Sequence, residues 1–219
     1  MNMKKRMLSI VLSGAMAVST AVSAGSFGAF AVAQCVAYSG SNVNDQDYVQ
    51  WSDTVKSYLT VCDNGNYMRV QSGAIEGKLL VEYYSSDFEP LSTKLIDNEL
   101  PIFGAFYDSG NNYYVLSGQE NPKQNDSLEV FRITKYDKNW NKIKSCGLYG
   151  ANTTVPFDAG SARMTHSGDH LLVRTCHEMY KSSDGNNHQS NVTIEVDMPS
   201  MTITCLLYTS PSPRDSTSS

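Results

Sequence analysis

Long Ala/Leu/Glu/Lys stretches of the kind that make helices are absent from this sequence, so a helical bundle is not expected. Clusters of Lys and Arg are missing too. The formal net charge is −5 and the basic residues are scattered, which leaves no surface for nucleic acid or anionic membrane. There is no Cys-x-x-Cys spacing or paired-His pattern for zinc, and no other metal or cofactor is called for. Phosphate-cradling glycine loops and serine-nucleophile elbows are also lacking. A calcium loop is not met by Ser182–Asn187, which lacks a closing Glu at the right distance. The Asp-box of sialidase-like propellers is not met either, because its Gly falls one place later. An Asp-Gly-Asn hairpin turn explains the segment.

What is present is tyrosine, with Asn, Ser, Thr and Gly beside it; this composition favours strands and turns. The N-terminus is a basic start (Lys4, Lys5, Arg6) followed by an uncharged run from Met7 to Ala24. Small-x-small sites follow at Val22–Ala24, Ala29–Ala31 and Ala31–Ala33. This predicts a secretory signal peptide over 1–33. A membrane anchor would need about 20 predominantly apolar residues, and the serines dilute this run. Gln34 before Cys35 argues against a lipid anchor. The expected location is therefore secreted, extracellular or cell-wall associated, with no membrane association after cleavage. Residues 34–52 form a polar lead-in.

At the other end, Cys205 to Asp215 resembles the translation of a transposase-type sequencing adapter across eleven consecutive residues. Residues 205–219 are therefore expected to be an artefact tail, with the coding sequence truncated near Thr204. Cys35, Cys62, Cys146 and Cys176 then remain. They allow two disulfides in three pairings, or buried free thiols.

Between these ends a pattern repeats. Tyr58–Cys62 and Tyr67–Val70 flank an Asn64-Gly65 turn, which supplies the positive φ that a tight hairpin needs. Lys78–Tyr84 then turns through Ser85-Ser86-Asp87 into Phe88–Ile96. Phe103–Tyr107, Tyr113–Leu116, Leu128–Tyr136 and a strand from Trp140 form a second copy. Ala162–Thr165, His170–Arg174, Val192–Val196 and Met201–Thr204 form a third. Val81–Tyr84, Ile133–Tyr136 and Ile194–Asp197 align, as do Phe88, Trp140 and Met201 after the turns. A period of about 45 to 60 residues with four strands is the size of a propeller blade. The fold class expected is all-β, an incomplete β-propeller of about three four-stranded blades (about 53–100, 101–150 and 151–204), with a β-sandwich as the alternative.

Tyr113 to Thr204 resembles a family of secreted β-propeller-like proteins of gut-type Firmicutes, mostly of unassigned function. The resemblance is carried by Gly118-Gln119-Glu120-Asn121-Pro122, Tyr149–Thr154, Pro156–Gly160 and Arg174–Tyr180. It implies a compartment and an architecture, and brings no activity.

Candidate ligand-binding residues are Asn152, Asp158, Arg163, Arg174, His177, Glu178 and His188, all around the third copy. Arg offers a bidentate fork for anionic or sugar-like ligands, and His177 is the candidate acid–base group. His177 and Glu178 are adjacent, however, and face opposite ways on a regular strand. His166 and His170 flank a turn and are expected at the surface. The leading expectation is a secreted or cell-surface module that binds an extracellular glycan or protein. The alternative is an extracellular enzyme on the same scaffold, sulfotransferase-like or polysaccharide-acting, in which His177 works with Arg163 or Arg174.

Overall fold

The computed structural model describes residues 54–158 and 162–209. The expected signal peptide, the lead-in with Cys35, Ala159-Gly160 and the tail beyond Thr209 lie outside the described residues. Everything described as regular structure is β-strand. The first sheet holds β1 (Ser57–Val61), β2 (Tyr67–Ile75), β3 (Lys78–Tyr84) and β4 (Pro90–Asp97). The second holds β5 (Ile102–Asp108), β6 (Tyr113–Gly118), β7 (Glu129–Tyr136) and β8 (Lys142–Tyr149). The third is built on β10 (Arg163–Ser167), β11 (His170–Lys181), β12 (Asn187–Asp197) and β13 (Thr202–Thr209), with β9 (Thr153–Pro156) added beside β11. Each four-strand path is an antiparallel meander in chain order. The expected all-β fold, an incomplete propeller of three blades, is what the chain adopts.

Successive side chains of a strand face opposite sides of its sheet, so strands packed on one face alternate in burial, as β11 does, whereas β6, packed on both, is buried throughout. Met68, Val70, Leu79 and Val81 of the first sheet share a core with Phe106, Tyr113, Val115 and Tyr136 of the second. The opposite face of the second sheet, with Tyr114, Leu116, Phe131 and Ile133, packs with Leu171, Val173, Val192, Ile194 and Val196 of the third. The second sheet is thus covered on both sides and carries the largest buried side chains. Burial of a side chain of this kind stabilises by about 1.5–3 kcal/mol.

The turns after β3, β7 and β12 show how the repeat is built. Phe88, Trp140 and Met201 sit at φ of 64°, 63° and 49°, a left-handed conformation that disfavours any side chain with a Cβ. Asp137 fixes its turn by accepting bonds from the N–H groups of Asn139 and Asn141. Bonds from Phe88 N to Ser85 O and from Trp140 N to Asp137 O close two of the turns. The strained residue then swings its side chain onto the preceding sheet. Trp140 joins the core shared with the first sheet, and its Nε1 donates to the Tyr83 hydroxyl at 3.1 Å. Met201 joins the core shared with the second. Both are 4 % exposed, whereas Phe88, in the first copy, is 59 % exposed and only stacks on Tyr67.

Close approach explains two glycines. A Cβ on Gly104 would lie 2.4 Å from the Phe157 ring, and one on Gly147 would lie 2.0 Å from Glu129 Oε1. Cys62, Cys146 and Cys176 are free thiols, and burial pushes all three above the usual thiol range, Cys146 to about 11. No helix among the described residues is long and apolar enough to cross a membrane.

Candidate functional site

The loop end of the second and third sheets is assembled around Asn121. Its side chain is buried, with its amide donating to Asn125 O and the Tyr180 hydroxyl. Its Oδ1 accepts from Asn125 N, and its backbone N–H donates to Thr154 O at 2.7 Å. One residue thereby ties the β6–β7 loop to β9 and β11. Phe157, at φ 62°, lays its ring against Gly104 and Gly118. Asn152, also at positive φ, accepts from Tyr180 N. Residues from each of the four segments that carry the sequence resemblance, Gly118 and Asn121, Asn152 and Thr154, Phe157, and Tyr180, therefore meet at this end.

Beside them a cavity of about 310 Å³ is lined by Glu120, Pro122, Gln124, Thr154, Val155, Glu178 and Asn187. Glu178 is positioned by a register shift in β11 at this point. The Thr154 hydroxyl donates to its Oε1 at 2.5 Å, and Asn187 Nδ2 donates to the same oxygen at 3.1 Å. Asn187 is held in turn by Met179 O. The carboxylate is oriented before any ligand arrives, and Oε2 takes no part in these bonds. No Lys or Arg is among the lining residues, so two carboxylates face the cavity without a cation in its wall. Such a wall accepts hydrogen bonds from hydroxyl or ammonium groups and disfavours anions.

Of the seven residues expected from sequence, Glu178 lines this cavity, and Asn152 accepts from Tyr180 N on the same strand. His177 and Glu178 part as strand alternation requires. His177 is fully buried on the face toward the second sheet. Its Nδ1 lies 2.7 Å from Thr153 Oγ1, which is also within 2.9 Å of Ala151 O. Its Nε2 is buried without a partner among the described residues, and burial holds the ring's pKa down to about 4. The ring stacks on Tyr208.

Arg163 and Arg174 are directly opposite on β10 and β11, so they share a face. Arg174 is turned away from the buried core residues Val173 and Thr175 and donates to Thr193 Oγ1. The Arg163 guanidinium donates to Ala162 O. Asp158 accepts from Gln189 Nε2. His188 bonds Asp184 in the exposed β11–β12 hairpin, where Gly185 at φ 86° makes the turn. The Asp184 carboxyl, bonded by Ser182, Asn186 N–H and His188, is held well below the usual carboxylate range. His166 and His170 are exposed, as expected.

Sequence reasoning missed Glu120, Gln124, Thr154 and Asn187, which come from three separate segments. It also missed β9, whose four residues show no long alternation. A second polar cluster went unseen on the first sheet's face away from the second. There Gln71 Nε2 donates to buried Glu82 Oε2 at 3.0 Å, with Arg69 Nε 3.6 Å from that oxygen.

The fold and the cavity define an incomplete propeller with a polar site between adjacent blades. No protein-family model matches the chain, and no curated protein sequence matches it. Among solved structures it is similar to a GH43 β-1,3-galactosidase determined with galactodeoxynojirimycin, at 12% identity and a TM-score of 0.38. That likeness covers 69% of this chain and 45% of the other, so the chain spans less than half of that structure. It is too distant to bear on substrate or chemistry.

Proposed function

We propose that the chain is part of a secreted or cell-surface β-propeller module that binds an extracellular glycan in the cleft between its second and third blades. The observation that carries this reading is the cavity beside Glu178, where a carboxylate fixed by Thr154 and Asn187 faces Glu120 and Gln124 across about 310 Å³. Preoriented acceptors with Pro122 and Val155 beside them suit a sugar ring, which offers hydroxyl donors and an apolar face. The acceptor-rich wall selects neutral or amino sugars over sulfated ones. The basic N-terminal start and small-x-small sites support export. An acid–base role for His177 gains no support from its place on the inner face, away from this cavity.

A glycan array carrying neutral, amino and sulfated oligosaccharides tests the reading. Binding to neutral or amino glycans, weakened about tenfold or more in Glu178→Gln, is expected, since a charge-assisted hydrogen bond is lost. Absence of binding across the array, or binding confined to sulfated glycans, would overturn it.

A further inference from the structure

The opposite end of the same interblade cleft holds a second cavity, of about 290 Å³, lined by the β5–β6 turn, the β10–β11 turn, Lys135 and the Met198-Pro199 segment. Tyr107, Tyr114 and Lys135 stand in one cross-strand row on β5, β6 and β7, so their side chains share the face toward the third sheet. The two ends of the row bridge the sheets. The Tyr107 hydroxyl meets His166 Nδ1 at 2.7 Å, and Lys135 Nζ donates to Met198 O at 3.0 Å. Tyr114, between them, is fully buried and its hydroxyl has no partner among the described residues.

An unpaired buried hydroxyl is costly unless something in the cavity bonds to it. Burial pushes the Tyr114 pKa up to about 12, so the group stays a donor at every physiological pH. Lys135 forms no ion pair among the described residues; its ammonium lies 6.0 Å from the Tyr114 ring centroid and has donors left after Met198. Asp169 adds a carboxylate to the lining, beside the His166 ring and the amides of Asn111 and Asn112. The wall therefore offers one cation without a counter-ion, one orphaned donor and one carboxylate, in a volume suited to a single ring.

We propose that this cavity is a second binding site, independent of the Glu178 cleft, for a hydroxylated carboxylate of hexuronic-acid size. Its carboxylate meets Lys135, and its hydroxyls meet the Tyr114 hydroxyl and Asp169.

Titration of the full chain with D-glucuronate, D-galacturonate and uncharged D-glucose, followed by calorimetry, tests the assignment. A hexuronate is expected to bind and glucose not to. Lys135→Met should weaken binding about tenfold or more, because a charge-assisted bond is lost. Tyr114→Phe should weaken it about fivefold while leaving the thermal midpoint of the free protein unchanged or raised, since the hydroxyl has no protein partner to lose. Glu178→Gln should leave it unaltered. Failure of both hexuronates to bind, equal binding of glucose, or undiminished binding by a folded Lys135→Met protein would each overturn the proposal.

Discussion

Replacing Trp140 by alanine is expected to cost about 3–5 kcal/mol, the range for truncating a large buried aromatic. Replacing Phe88, its counterpart one repeat earlier, should cost only about 1 kcal/mol, the worth of one aromatic stack. The two residues share a turn, a φ near 64° and a place after the third strand of their sheet. They differ in what lies beneath them. Trp140 sits among Phe106, Tyr113 and Tyr136 and donates to Tyr83, whereas Phe88 stacks only on Tyr67 at 4.4 Å. Backbone strain is the same in both and cancels in the comparison. Met201→Ala, buried in the equivalent place, should fall at about 2–5 kcal/mol. Urea unfolding followed by far-ultraviolet circular dichroism reads all three, with an unchanged slope showing that the unfolded state is comparable. Equal losses for Phe88→Ala and Trp140→Ala would refute the reasoning that each turn residue is stabilised by the preceding blade.

Three further outcomes are expected. Gly147→Ala places a Cβ against the Glu129 carboxylate, which is itself paired with Arg132, and should lower stability by about 1–3 kcal/mol by overpacking, read as a lower urea midpoint. His177 titrates near 6.5 when unfolded and at about 4 when folded. Between these values the unfolded chain binds a proton that the folded chain refuses, so stability falls as pH drops through that window and levels off below it. In His177→Gln the urea midpoint should change less between pH 7 and pH 4.5 than in the parent; equal slopes would contradict the assignment. Asn121→Ala removes the amide that joins the β6–β7 loop to Tyr180. It should abolish glycan binding with a stability loss of about 1–3 kcal/mol, checked by array binding beside thermal melting.

The strand framework was legible because short-range rules govern it. Asn64-Gly65 and Asp137-Lys138-Asn139 mark turns through φ preference and side-chain capping, and alternation marks strands buried on one face. The alignment of Phe88, Trp140 and Met201 was also legible, since all three occupy one backbone niche; their unequal burial was not, because it depends on the neighbouring sheet. β13 runs on to Thr209, through residues that resemble adapter, because Leu206 and Tyr208 happen to alternate with the register of β12. The site was only partly readable. Glu178 stood out as a charged residue in a strand, but Thr154, Asn187 and Glu120 are ordinary polar residues until the fold gathers them. His177 attracted notice by residue type, and strand alternation sends its ring inward. The Tyr107–Tyr114–Lys135 row could not be read at all, since it depends on cross-strand register.

Chemical-shift mapping of the ¹⁵N-labelled chain, titrated with a neutral or amino oligosaccharide taken from the array, tests the central claim most directly. Shifts are expected to concentrate at Glu120, Gln124, Thr154, Glu178 and Asn187, at the loop end between the second and third sheets. Shifts confined to the Arg163–Arg174 face, to the first sheet, or absent at saturating sugar would contradict it.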